Sequence, residues 1–310
     1  MAALLNDIGF TIIATGVLVA LASAVLGTFL VLKGSSMLTD AISHSIVFGI
    51  VMVWLVTRAQ SGPPQLIGAA ATGVLTVVLV QLLTRSGRVK DDAAIGLVFP
   101  ALFSVGVLLI NVYARDLHID TDTVLLGEIG FVWLDTVEVA GLHVPRSLLT
   151  MGVVALIDIT FVVLLFKELK LMAFDEALAR MLGFLPGLLF YALLTLTSVT
   201  AVAAFDAVGA ILFVAFVIVP PATAYLLTDR LWLMIVYAAL IGMGSSVAGY
   251  YLALAWNVSI GGMMALMTGV ALLLALLLAP RYGLVAEEAR RASLRRGIDR
   301  RALVVHLYTH

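Results

Sequence analysis

The sequence contains no cysteine. Disulfides and thiolate metal sites are therefore excluded, whichever compartment the chain meets. Charge is scarce too: Asp, Glu, Lys and Arg make up 12% of the 310 residues, about half of the roughly 25% found in a soluble domain. With 63% of residues hydrophobic and a mean hydropathy of +1.15, lipid rather than water is the main solvent of this chain. There is no phosphate-binding loop of the GxxxxGK[ST] type, so if ATP drives this protein, another subunit binds it.

What the chain does have is nine apolar stretches, at about 8–32, 39–57, 66–84, 93–113, 147–166, 186–204, 207–227, 231–254 and 260–279. They do not alternate polar and apolar residues as barrel strands must. Backbone groups in lipid have to be bonded within their own segment, so each stretch is assigned to helix. The expected fold is an all-α integral membrane protein, a bundle of about nine transmembrane helices occupying residues 1–280, with a basic cytoplasmic tail over 281–310. The first stretch, Ile8 to Leu32, follows a segment with no Lys or Arg and is longer than a signal-peptide core of roughly 7–15 residues; it reads as a spanning helix. Gly68-Ala69-Ala70-Ala71, Gly242, Gly244 and Gly249 suit close helix packing in lipid, although small residues also simply fill membrane helices.

Lys and Arg set the orientation. With the N-terminus outside, fifteen of the eighteen fall in cytoplasmic connections or the tail, and only Arg58, Arg115 and Arg146 lie outside. That is the positive-inside bias. The long outer connection, about 114–146, is acidic, with Asp116, Asp120, Asp122, Glu128, Asp135 and Glu138. Its regular alternation of polar and apolar residues argues for order.

Ionisable residues inside membrane segments are costly and mark function by default. Asp40 and His44, in Thr39-Asp40-Ala41-Ile42-Ser43-His44-Ser45, are four apart and share one helix face, about 6 Å apart along the axis. A carboxylate and an imidazole suit a divalent first-row metal. Two such subunits meeting at a two-fold axis would supply two Asp and two His. The preceding Lys33-Gly34-Ser35-Ser36 breaks the first helix and brings this face near a helix N-terminus, as in discontinuous transporter helices. The alternative is a buried His hydrogen-bonded to its own helical Asp. Asp158, mid-way along the fifth stretch, either lines a pathway or pairs with a polar group on another helix. Asp206 reads as a cap on the following helix.

Between the fifth and sixth stretches, Asp175 is placed to cap a short helix ending at Gly183, with Ala177, Leu178, Met181 and Leu182 as its apolar residues. Too polar to span and too short to stand alone, this helix is expected to lie flat and dock, on a partner or on lipid. Val219-Pro220-Pro221-Ala222 in the seventh stretch removes two backbone donors, and a kink is expected there.

In this order, the features resemble the permease subunits of the manganese/zinc/iron ABC importers. Met37-Leu38-Thr39-Asp40-Ala41-Ile42-Ser43-His44-Ser45 is similar to that family's Gly/Thr-Asp-Ala-x-Ser-His motif. Phe166-Lys167-Glu168-Leu169-Lys170, Phe174-Asp175 and Ala179-Arg180-Met181-Leu182-Gly183 resemble its coupling-helix region. Ala207 to Leu212 through Val219 to Ala224 resembles its most typical membrane segment, and Asp92 to Gly96 and Leu126 to Ile129 also fit. The resemblance covers about residues 8–280.

It implies a fold similar to that of the vitamin B12-type importer permeases. It implies a second permease subunit, identical or homologous, two cytoplasmic ABC ATPases, an extracytoplasmic metal-binding lipoprotein, and a bacterial plasma-membrane location. Asp40 and His44 match the metal-gate positions; Phe174, Asp175, Leu178, Arg180, Met181 and Gly183 fall in the ATPase-coupling helix. The implied cargo is manganese, iron or zinc, with no permanently bound cofactor, no ATPase activity in this chain and no nucleic-acid partner. Two other functions compete. An ion-coupled secondary transporter would use Asp40, His44 and Asp158 as a proton relay, but needs no docking helix. An intramembrane protease would need paired aspartates, and Asp40, Asp158 and Asp206 stand in no catalytic motif.

Overall fold

The computed structural model describes residues 7–58, 63–113, 129–139 and 142–279, with Gly283 and Val285 beyond them. Acidic residues 116–128 and almost all of the 281–310 tail, for which loop order and a cytoplasmic location were expected, lie outside the described residues.

In chain order the helices are α1 (Ile8–Leu32), α2 (Met37–Thr57), α3 (Pro63–Arg85), α4 (Asp91–Tyr113), α5 (Arg146–Leu164), α6 (Phe166–Phe174), α7 (Glu176–Met181), α8 (Pro186–Val208), α9 (Ala210–Leu227), α10 (Leu231–Trp256) and α11 (Ile260–Leu278). Nine of them, all but α6 and α7, are long and apolar enough to cross a membrane among the described residues. Between α4 and α5 lie a short 3-10 turn, Ile129–Phe131, and an antiparallel hairpin of β1 (Thr136–Val139) and β2 (Leu142–Pro145). The alternation that argued for order in the outer connection is in part this hairpin, in which Glu138 faces His143 across the strands.

Two groups of helices make up the bundle. α2 packs against α3 and α4; α1 packs against α5, α9 and α10, with α11 against α9 and α10; α8 touches both groups. The most enclosed helix is α1, whose residues Val19, Ala20, Ala22, Leu26, Phe29 and Leu30 are buried. The outward faces carry Leu, Val and Phe, as lipid requires.

Small residues set the closest crossings. Gly68 of α3 meets Gly49 of α2: a Cβ on Gly49 would stand 2.4 Å from the Gly68 carbonyl oxygen. Gly249 is likewise pressed on the backbone of Met264, whereas Gly244 has nothing within 4 Å. Small residues thus pack at some of these positions and merely fill at others. α9 runs unbroken through Pro220 and Pro221.

One expectation is corrected. Asp206 does not cap α9: it lies within the last turn of α8, and the N-cap of α9 is Gly209, with no side-chain cap bond. At φ 81°, ψ 167°, Gly209 makes a one-residue reversal that a side chain would resist, so the chain turns without needing a polar cap.

Candidate functional site

The site begins where α1 ends. Gly34, at φ 66°, closes α1, and the amides of Gly34 and Ser35 return to the carbonyls of Val31 and Leu30. Three residues later α2 starts, so Asp40 lies in its first turn, where the helix dipole favours a carboxylate. One turn on, His44 Nε2 stands 3.6 Å from Asp40 Oδ1. This is beyond hydrogen-bond range, and the side chains are 49% (Asp40) and 38% (His44) exposed. The pair is therefore neither buried nor hydrogen-bonded to itself. Metal–ligand bonds of about 2.1 Å let one ion touch both atoms across such a gap.

Two aromatic rings of α4 hold the imidazole. Phe99 lies 5.7 Å from it at a 30° tilt, and Phe103 meets it edge-on at 6.4 Å. Nothing in the sequence pattern pointed to these phenylalanines, which look like ordinary membrane residues. Among the described residues no group of three or more His, Asp or Glu side chains could hold a metal. One chain brings Asp40 and His44 together here.

Asp158 lies elsewhere. Its side chain is buried between α5 and α8, and Thr200 Oγ1 hydrogen-bonds its Oδ2 at 2.7 Å. Of the two readings of this residue, pairing with a polar group on another helix is the one the geometry contains.

The third element is the connection between α5 and α8. Asp175 Oδ1 accepts from the Leu178 amide at 2.9 Å and caps α7, and Gly183, at φ 84°, closes it with its amide on the Arg180 carbonyl. Before it, α6 is a helix of its own, anchored by buried Leu169 and Met172. α7 shows its apolar side outward: Leu178 is 42% and Met181 85% exposed, and Phe174 and Leu182 are exposed beside them. The two connections meet, since Lys33 Nζ is 3.2 Å from Glu176 Oε2. The α1–α2 connection and α7 therefore lie on the same side of the bundle, as a count of five spans up to α6 requires.

Comparison with known proteins decides the family. The family described as "ABC 3 transport family" matches residues 7–279. The chain belongs to this family. It is a membrane-spanning permease subunit of the manganese/zinc/iron ABC importers. Two similar proteins align over most of their lengths. The manganese transport system membrane protein MntD of Bacillus subtilis is 46% identical, over 92% of this chain and 97% of its own. The zinc transport system membrane protein TroD of Treponema pallidum is 45% identical, over 96% of this chain and 82% of its own. PsaBC from Streptococcus pneumoniae, solved in complex with Fab, shares the fold with a TM-score of 0.74 at 28% identity, covering 88% of this chain and 92% of that one.

Proposed function

We propose that this permease passes manganese into a bacterial cell, with Asp40 and His44 as its metal ligands and ATP hydrolysis carried by separate subunits. The observation that carries the site is the Asp40–His44 pair, 3.6 Å apart and half-exposed inside a membrane helix. A divalent ion in lipid needs its charge offset. One Asp40 offsets half of it, and a second permease subunit, identical or homologous, completes two carboxylates and two neutral imidazoles.

The exposed apolar side of α7 supports docking on a cytoplasmic ATPase, one for each permease, with Phe174, Asp175, Leu178, Arg180, Met181 and Gly183 in the contact. A secondary transporter gives this surface no role. Orientation follows the Lys and Arg distribution: the N-terminus and hairpin outside, where an extracytoplasmic metal-binding protein delivers the ion, and α6, α7 and the basic 281–310 tail inside. Residues 1–280 form the translocating unit. Metal choice follows ligand hardness. Carboxylate and imidazole without thiolate favour Mn²⁺ and Fe²⁺, while zinc competes for the same ligands. The metal is cargo, and no resident cofactor is assigned.

The test is uptake of Mn²⁺ by proteoliposomes holding the whole complex, with Fe²⁺ or Zn²⁺ as competitor. Uptake that needs ATP and is blocked by excess competitor is expected. Uptake that runs on a proton gradient without ATP refutes the reading in favour of a secondary transporter.

A further inference from the structure

Lys33 caps the C-terminus of α1, and its amide returns to the carbonyls of Phe29 and Val31. Its side chain leaves the connection and crosses to α7, 143 positions along the chain, where Nζ reaches Glu176 Oε2 at 3.2 Å. On the way it passes the Phe190 ring of α8, whose centroid is 5.7 Å from Nζ. Glu176 is the first residue of α7, next to the capping Asp175. Its other oxygen, Oε1, accepts from Arg180 Nη2 at 2.5 Å. One carboxylate thus holds a cation of its own helix with one oxygen and the end of α1 with the other.

We propose that the Lys33–Glu176 ion pair is the link by which movement of α7 reaches the metal ligands, making Lys33 and Glu176 positioning residues for transport. Beyond Lys33 the chain makes a three-residue turn and enters α2, so Asp40, in the first turn of α2, is only seven residues from the link. α7 is held to the bundle by little apart from this pair, with Ala179 its only buried residue. Gly34, at φ 66° with nothing within 4 Å of a would-be Cβ, gives the connection its left-handed turn in open space. A pull on Glu176 is therefore delivered to the short connection between α1 and the helix bearing Asp40 and His44. The contact is semi-enclosed, with side chains 22% and 40% exposed, and the Phe190 face beside the ammonium favours the cation. Two fixed partners also hold the Glu176 carboxyl below the usual carboxylate range, Lys33 first and Arg180 next.

This inference rests on the proposed docking of α7 to an ATPase. The experiment is a double-mutant cycle on the full complex in proteoliposomes, with Mn²⁺ uptake and ATP hydrolysis measured on the same samples. The variants are Lys33→Met, Glu176→Gln, the double variant and Lys33→Arg. Each single variant is expected to keep ATP hydrolysis while uptake per ATP falls about tenfold. The double variant should be no worse than either single one, because one link cannot be cut twice, and Lys33→Arg should restore most of the ratio. A purely structural pair would lower complex yield and leave uptake per ATP unchanged; that result overturns the proposal, as does a double variant whose loss is the product of the single losses. Failure of the underlying reading looks different: the wild-type complex itself then shows no ATP-dependent uptake.

Discussion

The carbonyl oxygen of Val217 lies 2.0 Å from the point where a Cβ on Gly27 would sit. Pro221 of α9 explains the approach. In a regular helix the Val217 carbonyl accepts from the amide of residue 221, but residue 221 is proline and has no N–H. The released carbonyl faces the bare backbone of Gly27 on α1, where only a glycine leaves room. Gly27→Ala therefore places a methyl inside a backbone oxygen and forces α1 and α9 apart, costing about 1–3 kcal/mol. Gly244→Ala, in open space, is expected to be neutral. Thermal unfolding of the purified complex in detergent separates the two, and equal melting temperatures for both variants would show that the crossing is loose.

Asp40→Asn preserves shape and removes one charge. A carboxylate in this setting is unfavourable by about 2.5–3.5 kcal/mol on insertion scales, so removing it should leave membrane assembly intact while Mn²⁺ uptake at limiting metal falls at least tenfold. His44→Ala should fall alike. Wild-type uptake by Asp40→Asn would remove the pair from the pathway and turn attention to Asp158, which is joined to Thr200.

Leu178→Asp puts a charge on the exposed apolar side of α7. If that side docks on an ATPase, the complex should hydrolyse ATP without moving metal, or lose its ATPase in size-exclusion chromatography. An unchanged uptake rate and an intact complex would mean that α7 only rests on lipid.

The Glu176 contacts carry a pH signature. Its carboxyl is held below the usual range by the hydrogen bonds from Lys33 and Arg180. A depressed carboxyl contributes stability that is present above its unfolded value and lost as pH falls through its folded value. The difference in thermal stability between the wild-type complex and Glu176→Gln should therefore be constant near neutral pH and vanish on acidification through and below the carboxylate range. High salt should shrink it, because the group is partly exposed. A difference that ignores pH would assign the effect to shape alone.

The absence of native cysteine lets orientation be read directly. Glu138→Cys in the hairpin should react with a membrane-impermeant thiol reagent on intact cells. Lys170→Cys, on the exposed side of α6, should react only once the membrane is opened. The reverse pattern would invert the topology and with it the direction of transport.

The positions of the helices were legible in the sequence. All nine apolar stretches coincide with helices to within a few residues, and the Asp175 cap and the Gly183 end of α7 stand where their local chemistry puts them. The reason is that these are local decisions: a long apolar run in lipid has a single way to satisfy its own backbone, and a cap is settled within four residues. Asp206 was the local inference that failed, because Gly209 alone can reverse the chain. Which residues meet was not legible. The Phe99 and Phe103 rings around His44, the Thr200 partner of Asp158, the Lys33 reach to Glu176 and the Val217 approach to Gly27 all join positions remote in the chain. In a soluble protein the buried face of each helix shows in its polar pattern, but here the lipid-facing and protein-facing sides are both apolar. The choice between them falls to shape, small residues and the rare polar pair, and only the assembled bundle decides it.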